Sequence, residues 1–354
     1  MFAINDRITA RQLYYQIVMS MAGVLLVFLP GYDAIYGWVG VGCCMGAFLI
    51  WILYSFFLVR ISSHYGHLEK ILGDFGKKAY GVWMMLFFVL TGAFVTSLIA
   101  QLIGTYFVTG APSCVIHGVI LLACAMAGIP QIQRRGRMAE ICFPLLMGLL
   151  VLLLLVSFGQ QVWENAAFWD YLSQPMEVDV RNFASGIYVL FAVSAGLWGL
   201  PFLLNKIKGN RWKSILAAFG TLMLLLMVVL VLLQGCYGTN QVLKRQWPIV
   251  SLMGSIRISG GFVYRIDPLW MCILLMMLLF SVGSTLFYGN YITGATGILW
   301  KWYWTPVLVY VISLVQTFWG SVGEWYDELL LYIFCPITVL IHLVIGWRGR
   351  KYRI

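Results

Sequence analysis

Ten long apolar segments, separated by short polar ones, dominate this sequence. They cover approximately residues 10–30, 36–59, 79–108, 113–130, 138–158, 183–204, 213–236, 266–292, 303–320 and 327–347. Most are long enough to cross a bilayer as helices, and lipid requires every backbone polar group to be bonded within the protein. Charged residues make up only 10% of the 354 residues, against about 25% in a soluble domain. We therefore expect an all-α integral membrane protein with ten transmembrane helices, forming a single polytopic domain over residues 1–354.

The placement of charge predicts how the chain is oriented. If the amino terminus is cytoplasmic, 18 of the 23 Lys and Arg residues fall in inner segments and 5 in outer ones. Nine of the 13 acidic residues then lie outside. This is the positive-inside pattern of membrane proteins, and it predicts that both termini are cytoplasmic. The net charge of +10 thus reflects topology in a lipid bilayer and does not call for a nucleic-acid partner.

The ten spans divide into two halves of five, and an odd number inverts the second half relative to the first. We therefore predict two inverted repeats, over about residues 8–160 and 180–348. Spans one and six correspond, and both carry small residues in their interiors. Paired interruptions of this kind point to a binding site near the bilayer midplane, so we expect helices 1 and 6 to be interrupted. For Gly23 in span one, the alternative is that it only allows a neighbouring helix to pack closely.

Two connections are more than simple turns. Residues 62–80 alternate apolar and charged side chains at helical spacing, which predicts an amphipathic segment on the cytoplasmic surface. Residues 238–264 are too apolar for a free loop and too short to span the membrane. We interpret them as an outer lid over the binding site, and a passive interfacial segment is the alternative.

The sequence contains no set of residues typical of an enzyme. The G-x-S-x-G, H-E-x-x-H and P-loop patterns are all absent. His64 and His67 are two potential metal ligands on a polar connection, where a solvated surface is the simpler explanation. His117 and His342 stand alone in apolar spans, where we expect each to bond a backbone carbonyl. We predict no catalytic residue, no metal site and no cofactor.

Charge inside the membrane is scarce, which bears on the chemistry of the binding site. Glu140 and Asp267 lie at the ends of spans, so no carboxylate is placed at the midplane for a proton relay. A site made of backbone groups and hydroxyls suits an amino-acid zwitterion, whose carboxylate can accept N–H groups at a broken helix end. The predicted ligand-binding residues are Ala22, Gly23 and Val24 as backbone donors, Ser194 and Gly196 opposite them, and Thr91 and Ser281 as further candidates.

Four stretches of the sequence carry a resemblance to a known family. They are ITARQL at 8–13 with AGV at 22–24 and FLP at 28–30, LEKILG at 68–73, GRMAEICFP at 136–144, and WPIVSL at 247–252 with SI at 255–256 and GGF at 260–262. In their order and spacing they resemble the spore germination permease family. That family comprises the B subunits of endospore germinant receptors, within the amino acid–polyamine–organocation superfamily.

The resemblance implies a LeuT-like fold of two inverted five-helix repeats, with a small-molecule germinant, usually an amino acid, between broken helices 1 and 6. It also implies a germinant-receptor A subunit and a lipoprotein C subunit as partners, in the spore inner membrane. Three features depart from the family. Leu25 stands where the family often has a second glycine, and residues 188–192 are apolar and lack the break that span six has in many relatives. Residues 141–158 lack the lysine that proton-coupled relatives often carry in span five. A secondary amino-acid transporter and a ligand-blind scaffold subunit remain the alternatives.

Overall fold

The structure is a computed structural model, and it describes residues 7–32, 34–108, 110–164, 167–173, 179–194, 198–245, 247–255, 267–318 and 322–351. Nearly all of these residues are helical, as the apolar spans predict. In chain order the α-helices are α1 (Ala10–Phe28), α2 (Gly37–Ile61), α3 (Leu68–Tyr106), α4 (Ser113–Ala125), α5 (Ile132–Glu164), α6 (Phe168–Leu172), α7 (Val180–Val193), α8 (Leu200–Leu204), α9 (Arg211–Tyr237), α10 (Thr239–Val242), α11 (Pro248–Ser255), α12 (Asp267–Thr296), α13 (Trp304–Phe318), α14 (Val322–Glu328) and α15 (Cys335–Lys351). Shorter helical turns are the 3-10 turns Leu29–Gly31, Ser62–His67 and Met126–Gly128 and the π-helical turn Leu329–Phe334.

Length and composition identify the segments that are able to cross a bilayer. In the described part of the chain these are Ala10–Phe28, Gly37–Tyr106, Ile132–Val162, Arg211–Tyr237, Pro268–Thr296 and Trp325–Lys351, of which the second contains both α2 and α3. Shorter apolar helical segments are Ser113–Gly128, Val180–Val193 and Trp304–Phe318. A helical integral membrane protein is therefore confirmed, and the exact number of crossings stays a prediction.

The start of the first helix is fixed by a reciprocal cap, as its sequence predicts. The backbone N–H of Gln12 donates to the Thr9 hydroxyl at 3.2 Å, and the Thr9 N–H donates to the Gln12 side-chain oxygen at 3.1 Å. Such a capping box satisfies two of the N–H groups that the first turn of a helix leaves free. The apolar residues that follow then carry the helix into the core, where Leu13, Ile17 and Val18 are fully buried.

The course of the first helix differs from the prediction. α1 runs without a break from Ala10 to Phe28. The backbone groups of Ala22, Gly23 and Val24 therefore belong to the helix, and in this structure they are not free donors at a helix end. The predicted interruption of helix 1 is wrong here, because a single glycine with no proline beside it is compatible with a continuous helix.

Close packing explains why a glycine stands at this point. A β-carbon on Gly23 would lie 2.8 Å from the backbone nitrogen of Leu278 and 2.9 Å from the backbone carbonyl carbon of Met277. α12 thus approaches α1 backbone to backbone, as small residues allow between membrane helices. Gly23 takes the packing role that the sequence left open as the alternative.

The helices pack around α1, α3 and α12. α12 lies against α3 and α1, α1 also lies against α9 and α5, and α2 lies against α9 and α7. Large side chains fill the space between them; Trp51, Trp198 and Trp270 are fully buried. This arrangement places the middle of α1 and of α12 inside the protein.

A short parallel strand pair joins two distant parts of the chain at one end of the bundle. β1 (Ile8–Thr9) pairs with β2 (Ile207–Lys208), in the register Ile8 with Ile207 and Thr9 with Lys208. The Ile8 N–H donates to the Lys206 carbonyl at 3.2 Å. The start of α1 is therefore tied to the segment that follows α8.

The two unusual connections are largely ordered parts of the fold. Over residues 62–80, a 3-10 turn leads into α3, which bends at Gly73, where φ is +77° and ψ is 168°. On the outer connection, α11 buries Ile249 and Leu252 and packs against α1, α9 and α12; residues 256–264 lie outside the described residues. The roles of cytoplasmic amphipathic segment and outer lid stay predictions.

Candidate functional site

The sixth apolar span is divided into two helices. α7 ends at Val193, Ser194 caps it, and α8 begins at Leu200 with Pro201 in its first turn. Proline fits there because the first turn of a helix leaves its N–H groups unbonded in any case. The predicted interruption of helix 6 agrees with these bounds. Gly196, a predicted ligand-binding residue, lies outside the described residues.

Buried hydroxyls line the contact between α1 and α12. The hydroxyls of Ser20 and Ser284 lie 2.7 Å apart and are hydrogen-bonded, with either as donor. Each hydroxyl also lies within hydrogen-bond distance of a carbonyl of its own helix, Ser20 of Gln16 at 2.5 Å and Ser284 of Phe280 at 2.9 Å. Since a hydroxyl has one hydrogen, one of the two donates to its own carbonyl and the other donates across the contact. One turn before Ser284 on α12, the Ser281 hydroxyl donates to the Met277 carbonyl at 3.1 Å. This polar strip begins where Gly23 contacts α12.

A buried arginine reaches this strip from the first turn of α5. Arg135 donates from Nη2 to the Phe280 carbonyl at 2.6 Å and to the Ser284 hydroxyl. Its guanidinium carbon lies 3.7 Å from the centre of the Phe280 ring, which is a cation–π contact. Among the described residues, Arg135 is the one charged side chain that is buried, with 3% of its surface exposed. Three helices, α1, α5 and α12, thus meet at one positive charge.

Aromatic rings connect this region to the interruption of span six. Phe88 of α3 stacks on Tyr288 of α12 with ring centres 5.4 Å apart, and Phe87 stacks on Trp198 at 5.5 Å. A β-carbon on Gly199 would lie 3.0 Å from the Phe88 ring. α3, α12 and the start of α8 therefore share one buried aromatic wall.

Several polar atoms in this region are buried without a hydrogen-bond partner in the part of the chain that the structure describes. They are the Gln16 side-chain oxygen, the Trp198 indole nitrogen and Nε of Arg135. The Gln16 amide nitrogen lies 3.4 Å from the Tyr288 hydroxyl, so Gln16 also borders the aromatic wall. A buried polar atom left unpaired costs about 1–3 kcal/mol. Gln16 and Trp198 both border the aromatic wall beside the interruption of span six, so a polar ligand that bonded them there would gain stability.

The predicted site residues are only partly brought together. Gly23 and Ser281 both lie at the α1–α12 contact. Gly23 packs against the backbone of Met277, and the Ser281 hydroxyl donates to the carbonyl of the same residue. Ser194 is fully buried at the end of α7 and donates to its own helix at the Leu190 carbonyl, at 2.7 Å. Thr91 faces another neighbour, because its hydroxyl accepts a hydrogen bond from Tyr326 of α14 at 2.9 Å. Their ligand-binding roles stay predictions.

Arg135 is a candidate site residue that the sequence reasoning missed. It stands beside Arg134 and Arg137 and was counted with them among the inner positive charges. Helical spacing is the signal that separates them, because Ile132, Arg135 and Ala139 are all buried on one face, at i, i+3 and i+7, whereas Arg134 and Arg137 are exposed.

One of the two isolated histidines behaves as expected. His117 contacts the Ser113 carbonyl at 2.7 Å through Nδ1. His342, by contrast, lies between two tyrosine hydroxyls, Tyr54 at 2.7 Å and Tyr80 at 3.0 Å. The prediction of a carbonyl partner for His342 is wrong because α15 packs against two other helices whose tyrosines reach both ring nitrogens.

The fold of this chain is also found in a membrane transporter of known structure. The structure is similar to that of Mhp1, a nucleobase-cation-symport-1 family transporter in a closed conformation with bromovinylhydantoin bound, with a TM-score of 0.59 and 11% identity. The match covers 97% of this chain and 80% of that one. The chain therefore has a LeuT-like fold.

Sequence comparison then gives the family. The profile of the spore germination protein family matches residues 7–318. The chain belongs to this family of spore germination permeases. It is 20% identical over 371 residues to the spore germination protein YndE of Bacillus subtilis (strain 168), a match that covers 99% of both chains. The resemblance found in the sequence motifs is thereby confirmed.

Proposed function

We propose that this protein is the B subunit of a spore germinant receptor. In this proposal it binds a small germinant, an amino acid, inside its membrane domain and signals germination. The observation that carries the proposal is the set of unpartnered buried polar atoms around the divided sixth span, in a chain of the spore germination family. Such atoms are stabilised by a polar ligand, and transporter folds hold their ligands at divided helices.

The site proposed for the germinant lies between α1, α12 and the gap from α7 to α8. Gly23 and Ser281 form its wall at the α1–α12 contact, and Ser194 borders the gap; Gly196, two positions further along the sequence, completes the proposed set. Ala22 and Val24 flank Gly23 on α1, and Thr91 lies on the adjoining α3. Gln16 and Trp198 join this set because each carries a buried polar atom without a partner.

We further propose ten membrane crossings arranged as two inverted repeats. Helix packing supports this arrangement. In two inverted repeats, α1 corresponds to α7, α2 to α9, α3 to α12 and α4 to α13. The α2–α7 contact then has the α9–α1 contact as its counterpart, and the α3–α13 contact has the α12–α4 contact. All four contacts are present. Both termini are then cytoplasmic in the spore inner membrane, and an A subunit and a lipoprotein C subunit are the proposed partners.

A secondary amino-acid transporter is the second candidate, favoured by the likeness to a symport-family transporter. The two functions share a fold and differ in whether the ligand crosses the membrane. The full chain in liposomes, given labelled amino acids, separates them when binding and counterflow are measured together. Saturable binding without counterflow is the expected result for a receptor subunit, and counterflow by the chain alone would favour the transporter.

A pair of variants ties binding to the proposed site. Gln16→Met removes the buried amide beside Tyr288 while keeping a side chain of similar length, so amino-acid affinity should fall. Gln101→Met makes the same change on the exposed side of α3 and should leave affinity unchanged. If the wild-type chain binds no amino acid from a complete panel, with or without partner subunits, the receptor proposal fails and a ligand-blind scaffold remains.

A further inference from the structure

Arg135 carries a buried positive charge for which the described residues supply no opposite charge. The ion pairs found in the described ranges, Lys77 with Glu69 and Lys78 with Asp74, lie elsewhere on α3. Withdrawing an ionised side chain from water costs several kcal/mol unless a partner compensates. The burial of Arg135 therefore calls for a negative group that binds there.

The neutral partners of Arg135 occupy only part of its guanidinium. One terminal nitrogen, Nη2, bonds the Phe280 carbonyl and the Ser284 hydroxyl, and the other lies 3.9 Å from the Met138 sulfur. Nε is buried without a partner. A guanidinium presents five N–H donors in one plane, and its edges match the two oxygens of a carboxylate. Among the described residues, the Nε–H is thus left for one acceptor oxygen.

A cavity next to Arg135 gives such an acceptor a place. Its volume is about 130 Å³, and it opens between the end of α4 and the start of α5. Residues from both helices and their connection line it, namely Ala123, Met126, Ala127, Ile129, Gln131, Arg134, Arg135 and Met138. A water molecule takes about 30 Å³ of the liquid, so the space suits a group of a few heavy atoms. The amino terminus of α5 adds a favourable electrostatic field for an anion.

We propose that Arg135 binds a carboxylate group, entering from this cavity between α4 and α5. The inference rests on the proposed germinant-binding function and assigns Arg135 as the residue that holds the carboxylate of the amino acid. One carboxylate oxygen accepts the Nε–H, while Nη2 keeps its contacts to α12. Because Ser284 is also bonded to Ser20, a ligand held at Arg135 acts on the α1–α12 contact as well.

Sodium acetate is the probe for this site, because it presents a carboxylate and little else. The unfolding temperature of the purified full chain is measured in neutral detergent, at constant ionic strength, against acetamide as the uncharged counterpart. Sodium dimethyl phosphate, which carries the phosphodiester of a lipid headgroup, forms a third arm. Acetate should raise the unfolding temperature in a saturable way, because a ligand that binds only the folded state stabilises it. Acetamide should not.

Variants show whether the effect belongs to Arg135. Arg135→Met should still fold, because a buried ion replaced by an apolar side chain of similar length is often tolerated. Its apparent acetate affinity should fall about 10- to 100-fold, the factor that corresponds to losing one hydrogen bond with a charged group. Arg135→Lys keeps the charge without the planar edge and should also bind acetate more weakly. Arg134→Gln changes the exposed neighbour and should bind acetate as the wild type does.

Each remaining outcome also decides the matter. A wild-type chain that acetate does not stabilise beyond acetamide overturns the proposal, as does an unchanged acetate response in Arg135→Met. A larger response to dimethyl phosphate than to acetate overturns the carboxylate assignment in favour of lipid headgroups. If Arg135→Met does not fold, the comparison is made between Arg135→Lys and Arg134→Gln. Equal acetate affinities in these two variants overturn the proposal. An acetate response in a chain that binds no amino acid would refute the receptor function and leave this anion site standing.

Discussion

The contact between α1 and α12 predicts that two glycine-to-alanine substitutions, at Gly23 and at Gly148, change the free energy of unfolding in opposite directions. Replacing Gly23 by alanine adds a β-carbon 2.8 Å from the backbone nitrogen of Leu278. That is about 0.7 Å shorter than the roughly 3.5 Å at which two heavy atoms pack without repulsion. The obstacle is backbone, which cannot rotate away as a side chain end can, so α1 and α12 have to separate.

The size of the effect follows from two opposing contributions. Overpacking a well-packed interior costs about 1–3 kcal/mol. Alanine in place of glycine inside a helix gains about 0.5–1 kcal/mol. Gly23→Ala should therefore lower the free energy of unfolding by up to about 2.5 kcal/mol, and by about 1 kcal/mol at the midpoints of the two ranges. Gly148→Ala should raise it by about 0.5–1 kcal/mol, because nothing lies within 4 Å of a β-carbon at Gly148 on α5.

Equilibrium unfolding of both variants in mixed detergent micelles, followed by tryptophan fluorescence, measures the two signs. Equal stabilities, or a Gly23→Ala variant more stable than Gly148→Ala, would refute the packing role of Gly23. That result would reopen the sequence-based interpretation, in which α1 is interrupted at Gly23 and its backbone is free to bind a ligand.

Three further predictions rest on single contacts. Trp198→Phe should weaken amino-acid binding, because it removes an indole nitrogen that has no partner among the described residues, and it should lower the unfolding temperature, because the smaller ring leaves a cavity in the core; an unchanged amino-acid affinity would contradict this. Tyr54→Phe should cost about 1–3 kcal/mol in chemical unfolding, because it leaves a buried nitrogen of His342 unpaired; a neutral effect would show that water or a rotated ring replaces the hydroxyl. Gly73→Ala should cost about 1–3 kcal/mol, since its positive φ of +77° is strained for other residues; a helix that straightens without loss of stability, seen by spin-label distances along α3, would speak against it.

The helices of this protein could be predicted because apolar runs of bilayer length have few alternatives in lipid. The capping pattern at Thr9 and Gln12 is equally local, and the structure contains it. The division of the sixth span was also accessible, since Ser194 to Pro201 holds several small residues and a proline within a few positions. These features depend on residues close together in the chain.

The features that the sequence did not predict depend on contacts with residues that are distant in the chain. Gly23 has the same local surroundings whether it opens a helix or admits a neighbour, and only the position of Leu278 decides between them. Arg135 belongs by sequence to a cluster of cytoplasmic charges, and its burial follows from the packing of α5 against α1 and α12. His342 acquires its partners from two helices far away in the chain.

The strand pair and one side-chain hydrogen bond connect the start of α1 to the end of α8 and to α5. Ile8 is bonded to Lys206, just beyond α8, and two residues into α1 Gln12 donates to Glu140 of α5 at 2.9 Å. A displacement of α8 must either carry the amino-terminal segment with it or break the Ile8 bond. If the germinant binds at the divided span as proposed, a movement of α8 on binding would be passed to the end of the bundle at which the chain enters α1. A partner subunit bound at that end would then respond to the ligand without touching it.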